Sequence, residues 1–372
     1  MPMLETVTLM AALAAGADRV DLDAPLVGER TTVFRASAVH LGDGRVLDRG
    51  VVFVQDGVIR EVGVGLEPPD GAHVVDHPGD LSPGLVALHG FEGGGGELVD
   101  TTRPILPKAD AATAFDPDHP DFGRSLDCGI TTVVLSPPAT ALCPGTTAVV
   151  KTSGGTVVRP RAQLVVGLSS TALKSNEFPT SFAGALAALS ERLEEPTGAF
   201  RAAASGELGL LVKAGTRSQI QRALGFVVEH RLRGALYGSY WAEDLVGEIK
   251  ASGLSVVCTP SDPGDDARWA RSIAALSAAG VRLGFGLDAP GRHPHCLRFG
   301  AAVAARGGMT NEAALTALTG DAAAIAGVSD RLGRIDRGLD ADLVLWSGDP
   351  LDLASEITAV YVDGQRVRGG ER

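Results

Sequence analysis

Two side chains able to bind a metal ion or to move a proton stand at the ends of apolar runs. His89 closes the run LVALH, and Asp288 closes the run VRLGFGLD. Imidazole and carboxylate groups are ligands of Zn, Fe or Mn, and a carboxylate can also accept a proton from water. Each residue also has a structural interpretation: His89 as a hydrogen-bonded histidine at the end of a buried strand, and Asp288 as a turn or helix-cap carboxylate.

The elements that would position these two residues alternate along the stretch 84–336. Near-continuous apolar runs are separated by amphipathic helical patterns, which indicates a buried parallel sheet covered by helices. The runs are LVALH, ITTVVLS, TAVVKT, QLVVGLS, LGLLVKA, GALYGS, LSVVCTP and VRLGFGLD. The stretch is close to the ~250 residues typical of such a fold and therefore predicts an α/β protein with a (β/α)8 TIM-like barrel, although TAVVKT could instead be an inserted hairpin.

The stretches 31–83 and 337–372 have a different pattern of apolar and polar residues. Each contains short apolar runs of period two around an Asp-Gly pair, Asp56-Gly57 in the first and Asp363-Gly364 in the second. This pattern is typical of β-hairpins. Because chain ends often lie close together, we predict one small composite β-sandwich domain built from both stretches, preceded by an N-terminal extension over 1–30.

Three segments together carry a resemblance to a known family. They are LSPGLVALHGF, LGFGLDAP and GRIDRGLDADLVLWSGDP. The chain resembles the amidohydrolase superfamily, in its imidazolonepropionase-like branch, from about Thr31 onward. The resemblance implies one or two divalent metals at the carboxyl ends of the barrel strands, held by an HxH pair, a carboxylated lysine, further histidines and a last aspartate. It also implies hydrolysis of C–N bonds in cyclic or acyclic amides.

The sequence departs from this pattern at several ligand positions. Phe91 stands where the second histidine of HxH belongs, and a phenyl ring has no lone pair to donate. Lys213 stands where relatives tend to show histidine, and its ammonium group would repel a metal ion and could pair with Asp288. Ser239 lies in the segment where another histidine often stands. Glu92 directly follows Phe91 and could supply a replacement carboxylate.

Other polar residues offer weaker candidates. His293 and His295 form a second HxH in a Pro-containing loop, where solvated histidines are more common than metal ligands. Lys151 ends the run AVVK beside a glycine-rich turn. It could contact an anionic group in a pocket, or its ammonium group could simply reach solvent.

The composition excludes several classes of partner. The formal net charge of -12 disfavours nucleic acid and anionic membrane surfaces, both of which attract basic proteins. The apolar stretch Val7 to Ala17 has no basic residue before it, which favours a cytoplasmic location over export while leaving export open. Four cysteines without a CxxC pair are expected to be reduced and mostly buried: Cys128, Cys143, Cys258 and Cys296.

These observations leave three functional hypotheses. The first is a protein with an intact fold and an eroded dinuclear centre, catalytically impaired or inactive, that binds a small molecule or serves as a partner subunit. Its partner would be another copy of the chain or a related amidohydrolase. The second is a metal-dependent hydrolase of non-peptide or cyclic C–N bonds that uses His89 and Asp288 with a single Zn, Fe or Mn ion. The third is a structural role within an oligomer. The expected cofactor is therefore none or one divalent metal.

Overall fold

The structure is a computed structural model that describes residues 20–94, 98, 100, 102–238, 242–259, 266–288 and 291–369. The apolar stretch Val7 to Ala17 and most of the N-terminal extension lie outside these residues. None of the helices in the described ranges combines the length and hydrophobicity needed to span a bilayer.

Strands and helices alternate through the middle of the chain, and strands dominate its two ends. The described strands are β1 (Thr31–His40), β2 (Val46–Asp48), β3 (Gly50–Gln55), β4 (Val58–Val64), β5 (His73–Pro83), β6 (Leu85–Gly90), β7 (Ile130–Leu135), β8 (Gly145–Thr146), β9 (Ala148–Lys151), β10 (Val157–Arg159), β11 (Gln163–Gly167), β12 (Gly209–Lys213), β13 (Gly234–Tyr237), β14 (Ser255–Cys258), β15 (Leu283–Phe285), β16 (Leu343–Trp346), β17 (Ile357–Val362) and β18 (Gln365–Arg368). The described α-helices are α1 (Asp121–Asp127), α2 (Phe182–Glu194), α3 (Gly198–Ser205), α4 (Arg217–Glu229), α5 (Val246–Ser252), α6 (Asp266–Ala278), α7 (His295–Arg306), α8 (Asn311–Leu318) and α9 (Gly320–Ala326).

The central strands form two sheets that contain the predicted apolar runs. In one sheet the order is β15-β14-β13-β12-β11-β8, with β11 to β15 parallel, and in the other it is β10-β9-β7-β6, with β6 and β7 parallel. Backbone hydrogen bonds connect the two sheets. The amides of Leu287 and Asp288 donate to the His89 carbonyl oxygen, and the Thr147 amide donates to the Gln163 carbonyl oxygen.

The predicted α/β class is confirmed, and the structure refines the strand count. The run TAVVKT, which the sequence left open as a barrel strand or a hairpin, forms the antiparallel strand β9, paired with β7 and β10. The described central strands form two sheets and not one continuous closed sheet. The observed architecture is thus a mixed α/β fold built on mainly parallel strands.

Alternation along the central strands divides the core into two apolar layers. In β12, Leu211 packs with residues of the neighbouring strands and of α9, whereas Leu210 and Val212 pack against the surrounding helices. Both sides are apolar because both are covered, as in other buried parallel sheets. Helix α4 shows how a helix is positioned locally: Thr216 and Gln219 form a capping box at its first turn.

Strands from the two ends of the chain pair in a single sheet of eight strands. Its order is β18-β17-β16-β5-β1-β3-β4, with β2 paired to β1. The N-terminal strand β5 is antiparallel to the C-terminal strand β16 and parallel to β1. The two stretches therefore meet in one sheet, and the predicted two-layer sandwich is not confirmed. The division into domains at 31–83 plus 337–372 and 84–336 stays a prediction.

Candidate functional site

His89 lies at the carboxyl end of β6, where it is enclosed by aromatic rings. The residue is 2% exposed. Its imidazole stacks on the Tyr237 ring with centroids 4.0 Å apart and an interplanar angle of 22°. The Phe91 ring contacts the imidazole edge-on at 5.0 Å. Phe91 therefore forms part of the wall around His89.

Asp288 meets His89 from the end of the last parallel strand. Its backbone has a φ of 55°, in the left-handed region that aspartate tolerates better than most residues. Asp288 Oδ1 lies 2.7 Å from His89 Nδ1 and also accepts a hydrogen bond from the Tyr237 hydroxyl. The Nδ1 atom is not aligned for a hydrogen bond of good geometry, so the histidine–aspartate contact is a close polar contact.

The surroundings keep the Asp288 carboxyl ionised. Burial raises its pKa, but His89, the Tyr237 hydroxyl and the positive charge of Lys213 together outweigh burial and hold the pKa below its usual value. The side chain is 28% exposed, so the carboxylate is partly open to solvent. At neutral pH this position therefore carries a negative charge that protein groups offset.

Lys213 lies at the carboxyl end of β12, next to β13. Its ammonium nitrogen is 5.7 Å from the centroid of the Tyr237 ring, an arrangement that permits a cation–π contact. The direct Lys213–Asp288 ion pair suggested by the sequence is not formed between these two described side chains. Lys213 acts on the carboxylate at longer range, through its charge. His89, Phe91, Lys213, Tyr237 and Asp288 are called the strand-end cluster below.

Glu92 does not join this cluster. Its carboxyl group lies beside Gly90 and Ser125 of α1. Ser125 Oγ donates to Glu92 Oε1 at 3.4 Å, and Glu92 Oε2 is buried without a hydrogen-bond partner. Burial is the main cause that raises the Glu92 pKa to about 7. These contacts do not support Glu92 as a replacement metal ligand, and that suggestion stays a prediction.

Lys151 does not line a pocket with the strand-end cluster either. It is fully buried, and its ammonium nitrogen lies 2.9 Å from Asp340 Oδ2 and 3.0 Å from Asp342 Oδ1, with Asp363 as a third carboxylate partner. These aspartates flank β16 and β17, so Lys151 connects β9 to the sheet formed by the chain ends. The alternative of an ammonium group that reaches solvent is wrong, because the Lys151 side chain is fully buried among these carboxylates. Ser239, the remaining candidate, lies outside the described residues.

Comparison with known proteins finds a similarity in sequence over part of the chain and a similarity in fold over most of it. A sequence model described as the amidohydrolase family matches residues 216–368. The fold matches the crystal structure of an amidohydrolase from Thermotoga maritima with a TM-score of 0.80 over 91% of this chain and all of the other, at 24% identity. Residues 216–368 therefore resemble the amidohydrolase family, and the fold of the chain is similar to that of a solved amidohydrolase.

Two further proteins are similar to this chain, one in fold and one over a short stretch of sequence. Ochratoxinase from A. niger matches with a TM-score of 0.59 at 16% identity, over 92% of this chain and 96% of that chain. Amidohydrolase tasK of Hapsidospora irregularis is 41% identical over 57 residues, which are 15% of this chain. Since the matched segment spans only 6% of that curated relative, the match carries no information on its whole activity. The imidazolonepropionase-like branch fits the matched family.

The residues of the strand-end cluster do not fit a metal ion held as in catalytic zinc sites. Such sites ordinarily use three protein ligands. In the described part of this cluster the side chains of ligand type are His89 and Asp288, and one oxygen of Asp288 already accepts from Tyr237. The nearby Lys213 ammonium group adds a positive charge that opposes a metal ion.

Sequence reasoning overlooked Tyr237. The residue closes the run GALY at the carboxyl end of β13, in the same layer of strand ends as His89 and Lys213. A polar aromatic residue at that position in a parallel strand is the signal that could have identified it. Its hydroxyl group and its ring connect the histidine, the aspartate and the lysine.

Proposed function

We propose that this chain is a noncatalytic member of the amidohydrolase superfamily that binds a small molecule or serves as a partner subunit. One observation carries the proposal: the Asp288 carboxylate is surrounded by His89, Tyr237 and Lys213, which offset its charge. In a metal-dependent relative that charge would be offset by the cation. Here protein groups would take over that electrostatic role.

The finer fold assignment belongs to this proposal. We infer that the two central sheets together close into the (β/α)8 barrel of the superfamily. The hydrogen bonds from the Leu287 and Asp288 amides to His89 support closure at one junction, and the bond from Thr147 to Gln163 supports it at the other. The eight-stranded sheet of the chain ends would then be the composite small domain.

A second candidate is a metal-dependent hydrolase of cyclic or other non-peptide C–N bonds. The observation that favours it is that Asp288 is ionised and partly open to solvent, as a proton acceptor must be. His89 would then be the first ligand of a single Zn, Fe or Mn ion. This candidate also requires a third ligand and movement of the Lys213 charge away from the ion.

The proposed setting of the protein follows from its charge and its thiols. All four cysteines are free, which is typical of a reducing compartment such as the cytoplasm. The excess of acidic residues supports a small molecule, a second copy or a related amidohydrolase subunit as partner and not a nucleic acid.

A hydrolysis assay on matched variants separates the two candidates. Wild-type protein and Asp288→Asn would be assayed with cyclic amides and dipeptides, each with added Zn, Fe(II) or Mn. Asparagine keeps the size of aspartate but cannot take up a proton from water. We expect both proteins to show only background hydrolysis. Metal-stimulated turnover by the wild type that is lost in Asp288→Asn would establish the hydrolase instead.

A further inference from the structure

A second group of metal-ligand side chains lies outside the strand-end cluster. One ligand atom from each of Cys128, His293 and His295 lies within 4.8 Å of the others. Among the residues that the structure describes, this is the group in which three such side chains come together. Cys128 precedes β7 at its amino end, whereas His89 and Asp288 lie at the carboxyl ends of their strands.

The three side chains lie close together in the structure. Cys128 Sγ lies 3.5 Å from His295 Nδ1. The rings of His293 and His295 stack with centroids 4.7 Å apart, and the His295 amide donates to His293 Nδ1 at 3.3 Å. In a tetrahedral zinc site with bonds of about 2.0–2.3 Å, ligand atoms are roughly 3.5 Å apart. Small side-chain rotations would therefore bring all three onto one ion.

We propose that Cys128, His293 and His295 bind one zinc ion, which links the segment before β7 to the first turn of α7. One sulfur and two imidazole nitrogens form a ligand set that suits borderline-soft Zn²⁺ better than Mg²⁺ or Ca²⁺, which prefer oxygen. A water molecule or an exogenous ligand would complete the coordination. This site does not depend on the function proposed for the strand-end cluster.

The protonation of the Cys128 thiol and the positive charge of Arg298 oppose the binding of a metal ion at this site. Burial, with the nearby Asp127, raises the Cys128 pKa to about 12, so the thiol is protonated until a metal ion displaces its proton. Burial, His293 and Arg298 lower the His295 pKa, which favours the neutral imidazole that a metal requires. The Arg298 guanidinium opposes a cation, and its own partners are the Ser355 and Leu353 carbonyl oxygens and the Trp346 ring.

Cobalt substitution tests the proposal with a readout specific for sulfur. Untagged protein would be stripped with a chelator and titrated with Co²⁺, and the thiolate-to-cobalt charge-transfer absorption in the near ultraviolet would be recorded. Competition with a chromophoric chelator would give the zinc affinity. We expect one equivalent of Co²⁺ with the sulfur band, and displacement of Co²⁺ by Zn²⁺.

Three variants assign the ligands. Cys128→Ser should abolish the sulfur band, and His293→Gln, at an exposed position that folding tolerates, should weaken zinc binding by roughly tenfold or more. Cys296→Ser is the matched control, because it removes a neighbouring thiol outside the group and should leave both readouts unchanged. Absence of binding to the wild type, binding without a sulfur band, or a band lost in Cys296→Ser but kept in Cys128→Ser would each overturn the proposal.

Discussion

Glu92 is buried beside Ser125 with a carboxyl pKa of about 7, and replacing it with glutamine should make the protein more stable at neutral pH. The glutamine side chain keeps the shape of the protonated acid. It does not ionise, so the folded state no longer has to hold a buried negative charge. The variant Glu92→Gln therefore isolates the energetic consequence of that burial.

The size of the stability change and the pH range over which it occurs follow from the pKa of Glu92 in the folded and in the unfolded chain. The folded pKa of about 7 lies above the ordinary value of 4.5, so the folded state retains a proton that the unfolded chain has lost. In wild type the free energy of unfolding thus falls as the pH rises from 4.5 to about 7. A difference of one in pKa corresponds to about 1.4 kcal/mol, so the full loss is about 3 kcal/mol. Below 4.5 the contribution vanishes.

Urea denaturation at a series of pH values measures this effect. The stability difference between Glu92→Gln and wild type should rise between pH 4.5 and about 7 and then level off. Glu61→Gln, at an exposed position of β4, is the control and should change stability by less than about 0.5 kcal/mol at every pH. A difference that stays flat with pH for Glu92→Gln would refute the assignment of a buried, proton-retaining carboxyl group.

Three further predictions concern the other charged and crowded positions. Lys151→Met leaves three aspartate carboxylates without their shared cation, so chemical denaturation should show a loss of about 3–5 kcal/mol; a loss below about 1 kcal/mol would contradict it. Tyr237→Phe removes a hydrogen bond to the Asp288 carboxylate and should cost about 1.5–3 kcal/mol at neutral pH. Because the folded pKa of Asp288 is depressed, this cost should disappear as acid protonates the carboxyl group, and a cost independent of pH would count against it. In Gly90→Ala a Cβ would lie 2.1 Å from Glu92 Oε2, so thermal unfolding should show a destabilisation of about 1–3 kcal/mol, and unchanged stability would argue against this packing.

The central strands could be predicted because their signal is local. Runs such as QLVVG and GLLVK are apolar on both faces, which is what a strand covered on both sides requires. The direction in which strands pair is not set by local sequence. TAVVKT is as apolar as the parallel strands, although it runs antiparallel to β7. The number of sheets formed by the chain ends could not be predicted from the sequence either, because it depends on which distant strands pair.

The site was predictable where a residue ends a parallel strand. His89 and Asp288 both do so, and the structure brings them within 2.7 Å. Glu92 lies in the turn that follows β6, and no local pattern shows that its side chain meets Ser125 of α1. Lys151 is neutralised by aspartates about two hundred positions away, and Cys128 meets His295 across a similar separation. Such contacts are set by the tertiary fold.

The most direct test of the account is the metal content of protein in which the proposed zinc site has been removed. Elemental analysis of untagged Cys128→Ser/His293→Gln protein, compared with the same protein carrying Asp288→Asn, reports on the strand-end cluster alone. The account predicts far less than one equivalent of Zn, Fe or Mn in both. Close to one equivalent that disappears with Asp288→Asn would contradict it and identify a metal centre at His89 and Asp288.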